Sequence, residues 1–154
     1  MSTLADIDSG IAALLAGDAA FLADIQALGL GENGEAMAPS LLRGFRPVAS
    51  IGQEHFPCWV MELGDTGSTG VAVGACHQDF QGELLLALVW HQQDPDTAYQ
   101  QRLGLLPALV RLFLRNPLMG DAAVTVDAQA NDRSANHPTH ITTFRLLVEP
   151  SISQ

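Results

Sequence analysis

The sequence predicts an α+β domain, a mostly antiparallel β-sheet covered by one long helix and preceded by N-terminal helices. Three observations carry that prediction. The run "GELLLALVWHQ" is apolar on both faces and reads as a central strand. Directly after it, "DPDT" places Asp94 at an N-cap and Pro95 at the first helical position, opening a long apolar-striped segment. Finally, "AAVTVDAQA" and "HITTFRLLVEP" alternate in hydrophobicity and read as a hairpin. Helices, then strands, then one helix and two strands is an α+β order.

The elements follow in chain order. Ile7, Ile11, Leu14 and Leu15 recur at helical spacing after Ser2 and Thr3, and Gly17 interrupts them. Asp18 caps a second short helix with Phe21, Leu22, Ile25 and Leu28 on one face, stopped by Gly29. "GLGENGEAMAPS" lacks periodicity, so residues 31–44 are expected to be loop. "RPVASIG" and "FPCWVMELG" read as strands, "DTGSTG" as a turn and "GVAVGAC" as a further strand. In the long helix, Tyr99, Leu103, Leu106, Val110 and Phe113 are assigned to the buried face, widened by Leu105, Leu109 and Leu112. Pro107 inside it predicts a kink or a break into two helices. The expected organisation is a single domain over 1–154, with helices in 1–30, a loop in 31–44 and a sheet-plus-helix core in 46–150.

Composition excludes several function classes. A chain of 154 residues that is 47% hydrophobic can bury a substantial core. Seven Lys+Arg against 17 Asp+Glu give a formal charge of -10, which opposes phosphate gripping. All seven cations are arginines, a residue suited to bidentate pairing at interfaces; compositional bias of a GC-rich genome explains the same pattern. No apolar run approaches the ~20 residues of a membrane span and no secretion signal is visible, so the expected setting is cytoplasmic. Cys58 and Cys76 read as small buried hydrophobes rather than a disulfide framework.

Few residues suggest chemistry. "HPTH" offers His137 and His140, with Cys76, His77, Asp79 or His91 as further metal-ligand candidates. Pro138 between the two histidines opposes the helical geometry that would aim both at one ion. His91 could serve as a general base oriented by Asp94 or Asp96, although capping already accounts for Asp94. Asp65-Thr66-Gly67 matches a three-residue aspartic-protease signature, a weak motif without its second carboxylate. Without lysine, P-loop and Schiff-base chemistry are excluded.

The order of segments carries more information. An N-terminal helix pair, "FRPVASIG" leading to "FPCWVMELGD", the strand "GELLLALVWHQQDPDT" running into a long helix, and the closing hairpin together resemble the tail terminator proteins of long-tailed bacteriophages, including those of Mu-like phages and prophages. The resemblance covers the chain from about Arg46 onward. It implies a non-enzymatic virion protein without cofactor or metal, made in the host cytoplasm and built into the phage neck. Such subunits form a homohexameric ring that ends tail-tube polymerisation and offers a docking surface to the head-tail connector protein. The partners implied are the chain itself, the tail tube protein and the connector, with DNA passing through the lumen and no membrane. An acidic ring would let DNA slide without sticking. Arg102, Arg111, Arg115 and Arg145, on a helix and a strand, are the subunit-interface candidates; ordinary solvated charge is the other reading. The alternatives are another minor tail or neck protein, a small metal-assisted hydrolase using His91, His137 and His140, and a small-ligand binding module.

Overall fold

The computed structural model describes residues 3–69, 79–133 and 135–150, the side chains of 65–69, 79–81 and 150 excepted. In chain order the elements are helices α1 (Leu4–Gly17) and α2 (Ala19–Gln26), strands β1 (Ser40–Arg43), β2 (Cys58–Thr69) and β3 (Asp79–His91), helix α3 (Pro95–Arg115), and strands β4 (Leu118–Met119), β5 (Ala122–Asn131) and β6 (Thr139–Pro150). The strands form one mixed sheet in the order β1-β2-β3-β6-β5-β4. β1 runs parallel to β2, and every other neighbouring pair is antiparallel. The α+β class therefore holds. The expected "GVAVGAC" strand, with Cys76 and His77, lies outside the described residues.

Local chemistry sets the helix ends where the sequence places them. The Thr3 hydroxyl accepts from the Asp6 N–H at 3.1 Å while the Asp6 carboxylate accepts from the Thr3 N–H at 2.9 Å, a reciprocal capping box. Asp18 ends α1 and caps α2, accepting from the Phe21 N–H at 2.9 Å. Gly29 follows α2 at φ +65, and a Cβ there would lie 2.9 Å from the Gly34 carbonyl oxygen. Only glycine suits both that backbone conformation and that approach.

β3 is central, as its two-faced hydrophobicity requires, with β2 on one side and β6 on the other. Leu84, Leu86, Leu88 and Trp90 face the helices, while Ala87 and Val89 join Cys58, Val60 and Ile51 in a second cluster on the opposite face. Fully burying each such large side chain contributes roughly 1.5–3 kcal/mol. From the hairpin, Phe144, Leu146 and Val148 of β6 and Ala122 and Val124 of β5 complete the main core. The helical layer differs from the expected single cover: Ile7, Ile11 and Leu15 of α1, Phe21 and Ile25 of α2, and Leu105, Leu109 and Leu112 of α3 share one core. Three helices, not one, close this face.

Four local expectations are corrected. Residues 31–44 contain β1, whose Leu41 packs toward the main core and Leu42 toward the second cluster. "RPVASIG" is not a strand: Val48–Ser50 forms a 3₁₀ turn in which the Ser50 hydroxyl donates to the Pro47 carbonyl at 2.7 Å. Such side-chain bonds to nearby backbone compete with a sheet ladder. "DTGST" is not a turn, because β2 continues through it to Thr69 after a register shift between Leu63 and Thr66. Gly64 permits that irregularity, since a Cβ there would come within 2.8 Å of the Glu83 Cβ. Lastly, of the kink or break expected at Pro107, the break into two helices does not occur, and α3 runs as one helix from Pro95 to Arg115. Pro107 is exposed, so the carbonyl that loses its partner lies on the side where water can replace it.

No helix among the described residues is long and apolar enough to cross a membrane.

Candidate functional site

Near the carboxyl end of β3 the buried polar side chains Gln101 and His140 lie beside Trp90. Trp90 donates from its indole N–H to Gln101 Oε1 at 2.9 Å, and the Gln101 amide donates to the Leu28 and Gly29 carbonyls at 3.2 and 3.1 Å. One side chain thus joins β3, α3 and the end of α2. Across the strand pair, Trp90 lies opposite His140, whose ring centroid is 5.5 Å from the indole. His140 is buried, with Nε2 2.9 Å from the Gln92 carbonyl and Nδ1 3.4 Å from an Arg102 guanidinium nitrogen. A carbonyl only accepts, so Nε2 carries the proton and Nδ1 is left as the acceptor facing Arg102. Both ring nitrogens are committed, and a guanidinium stands where a metal ion would have to approach.

His137 is brought close, its ring 5.6 Å from that of His140 and edge-on to it, across a cis His137–Pro138 peptide bond. His91 is not brought to this group. Side chains alternate along β3, so His91 shares the face of Ala87 and Val89, opposite Trp90 and His140. There it lines a cavity of about 240 Å³ with Leu30, Glu32, Glu35, Gln53, Glu54 and Phe56. Its Nδ1 is buried without a hydrogen-bond partner, and its Nε2 lies 3.4 Å from Gln93 Nε2. The orienting carboxylate expected from Asp94 is engaged elsewhere: Asp94 accepts from the Thr97 hydroxyl at 2.5 Å and the Thr97 N–H at 3.2 Å, as the cap of α3. The Thr97 hydroxyl first, and the backbone second, hold its carboxyl below the usual range. The three-histidine hydrolase site therefore does not assemble. Among the described residues no group of three or more His, Cys, Asp and Glu is arranged to hold a metal ion.

The four arginine candidates all have polar neighbours within the chain. Arg111 pairs with Asp24 at 3.2 Å and Arg115 with Asp18 at 2.7 Å, both tying α3 to the start or middle of α2. Arg145 lies between Asp127 and Glu83, across the β5-β6-β3 surface, and Arg102 faces His140. Arg111, Arg115 and Arg145 remain exposed beyond these pairs.

The chain matches no model of a known protein family and no curated protein sequence.

Of the apolar face expected on α3, Leu105, Leu109, Leu112 and Phe113 are buried, while Tyr99, Leu103 and Val110 are not, and Gln101 was not expected inside. The inward face is Ala98, Gln101, Leu105, Ala108, Leu109, Leu112 and Phe113. Of the residues assigned to the core stripe, Tyr99 is 55% exposed, Leu103 53% and Val110 37%, and Leu114 on the same outer line is 74% exposed. At 100° per residue Tyr99, Leu103, Val110 and Leu114 lie on a flank turned away from Gln101 and Leu105, whereas Leu106 lies within about 20° of Phe113 and packs against the core. The apolar arc of α3 is wider than the face the core covers, so spacing alone did not show that Tyr99, Leu103, Val110 and Leu114 would stay outside it.

Proposed function

We propose that this chain is a structural assembly subunit, a tail terminator of a long-tailed bacteriophage. In that role it forms a ring at the head-proximal end of the tail tube, ends tube polymerisation and presents the docking surface for the head connector. The observation that carries the reading is the element order: a helix pair, then β2-β3, the long helix and the β5-β6 hairpin, in one α+β subunit with a charge of -10. An acidic lumen passes DNA without binding it. Large apolar side chains left on the surface, Phe45, Leu63, Leu114 and Leu118 among them, suit a chain whose work is done through contacts with other subunits. Arg111, Arg115 and Arg145 would add to ring contacts from the exposed part of their guanidinium groups, and Arg102 through the polar cluster at the sheet end.

The test is assembly. Mixed with polymerising tail tube protein of its own phage, the chain should cap tubes at one end and limit their length, with ring-shaped density in electron micrographs. A phage lacking it should build overlong tails without heads. Tubes of unchanged length, with no density at their ends, would remove the reading.

A further inference from the structure

The polar cluster near the end of β3 gathers three basic side chains, and among the described residues no carboxylate pairs with any of them. His140 is buried at 1% exposure, on the core face of β6. Each element around it presents one group. Arg102 of α3 sets a guanidinium nitrogen 3.4 Å from Nδ1, Trp90 of β3 lies 5.5 Å away ring to ring, and His137 of the β5-β6 connection lies 5.6 Å away. The Gln92 carbonyl, just past β3, stands 2.9 Å from Nε2. The ion pairs of the described residues join Arg43, Arg111, Arg115 and Arg145 to carboxylates, and His55 to Glu54. None of them reaches this cluster.

The arrangement fits one protonation state only. With its single ring proton on Nε2, His140 offers the Nδ1 lone pair to a guanidinium that has nothing but N–H donors. A second ring proton would set N–H against N–H and cation against cation, in a buried place where an unpaired charge is costly. The Trp90 ring attracts a cation but supplies no lone pair for the new N–H. A proton on His137 would add a third positive charge. Arg102 is the member that can leave. His140 is fixed by the β6 ladder and its bond to Gln92, and Trp90 by its bond to Gln101. Arg102 is only half-buried, and its guanidinium has no other hydrogen-bond or ion-pair partner among the described residues. Its long stem can stay packed while the charged head turns to water.

We propose that His140 and Arg102 form an acid-operated switch, in which a proton gained at His140 Nδ1 expels the Arg102 guanidinium from the sheet end to the surface while the sheet and helices stay in place. With His140 neutral, Arg102 is turned inward. With His140 protonated, it is free to meet a carboxylate of another molecule, and water takes its place at Nδ1. This goes beyond the tail-terminator reading and does not rest on it, since every readout is taken on the free chain.

The experiment is NMR of the nitrogen-labelled full-length chain as pH is lowered from about 8 to about 5, the range over which an imidazole ordinarily changes charge. His140→Gln and His137→Gln assign the two rings, and Arg102→Met removes the guanidinium while keeping an unbranched side chain. At the upper end of the range His140 should carry one proton, on Nε2, and the Arg102 N–H signals should be slowed in exchange with water. When the second proton arrives, those signals should be lost to exchange in the same step, with the far-ultraviolet circular dichroism unchanged. In Arg102→Met the second proton should arrive at higher pH than in the parent chain. The switch is overturned if His140 carries its neutral-pH proton on Nδ1, if the ring gains no second proton over the whole range, or if Arg102 keeps its contact after that proton arrives. It is equally overturned if Arg102→Met protonates as the parent does, or if the step vanishes in His137→Gln, which would assign it to His137. Loss of circular dichroism in the same step would make it unfolding of the chain and overturn the switch as well.

Discussion

Asp18 and Arg115, ninety-seven positions apart, meet at 2.7 Å and fasten the first turn of α2 to the last turn of α3. The same carboxylate caps α2 through the Phe21 N–H and accepts from the Asn116 amide at 3.2 Å. Arg115 first, then the Phe21 N–H, hold the Asp18 carboxyl below the usual range. A carboxyl depressed in the folded chain stabilises it at pH above the unfolded-state value, and that stabilisation is lost as pH falls through the folded value. Melting temperature should therefore fall as pH drops below the ordinary carboxylate value of 3.8. In Asp18→Asn the neutral-pH melting point should be lower and the acid limb shallower. A variant with the same acid slope as the parent would assign the loss to other carboxylates.

Gln101 is the clearest case of a polar residue that the core requires. Replacing it by leucine keeps approximate volume but strands the Trp90 indole N–H and the Leu28 and Gly29 carbonyls. Leaving a buried donor or acceptor unsatisfied costs about 1–3 kcal/mol, so denaturant unfolding should show a loss of at least that order. Gln101→Glu should also destabilise, because it retains an acceptor for Trp90 and loses the donor to both carbonyls. Stability equal to the parent in either variant would show that the network is not needed.

His91 and His140 should behave oppositely. His140 is buried against Trp90 and bonded to Gln92 and Arg102, so His140→Ala should destabilise by about 2 kcal/mol or more through a lost hydrogen bond and a cavity. His91 lines an open cavity and has one unpartnered ring nitrogen, so His91→Ala should leave the unfolding midpoint nearly unchanged. Zinc titration of the parent chain should give no binding that His140→Ala abolishes.

The contrast between these residues shows what the sequence made legible. The strand-to-helix junction was readable because Asp94 and Pro95 act locally: a cap and a preset φ need only their neighbours. The β5-β6 hairpin was readable for the same reason, as Thr142, Phe144, Leu146 and Val148 alternate and all are buried. β1 was hidden because four residues give no period, and its ladder depends on a partner strand far along the chain. The face of α3 was only partly legible, Leu105, Leu109, Leu112 and Phe113 being buried as expected, because its apolar arc is broad and only the presence of α2 and β3 selects Gln101 over Leu103 for the interior. No spacing rule separates His140 from His91; their opposite faces follow from the register with β6.

Cys58 offers a test of the second, smaller core on the far face of the sheet. It is fully buried among Val60, Val89 and Ile51, and burial pushes its thiol up to about 11. The thiolate is the reactive species, so at neutral pH the folded chain should alkylate at Cys58 far more slowly than the unfolded chain, with mass mapping of the Cys58 peptide as the readout. Rapid labelling under native conditions would mean that the segment carrying Val48, Ile51 and Phe56 opens from the sheet.

Pro107 provides the last test, because it separates the helix from its own sequence. A proline in a helix interior costs about 3 kcal/mol relative to alanine, and it denies the Leu103 carbonyl its partner. α3 runs on unbroken because its inward face, Leu105, Ala108, Leu109 and Leu112, is held by the core on both sides of the proline. Pro107→Ala restores the missing N–H at an exposed position and removes no buried contact. It should raise unfolding stability by about 1–3 kcal/mol, less than the full propensity difference because water already serves the free carbonyl. A loss of stability instead would mean that the proline shapes α3 to fit the sheet, and that a straighter helix packs less well.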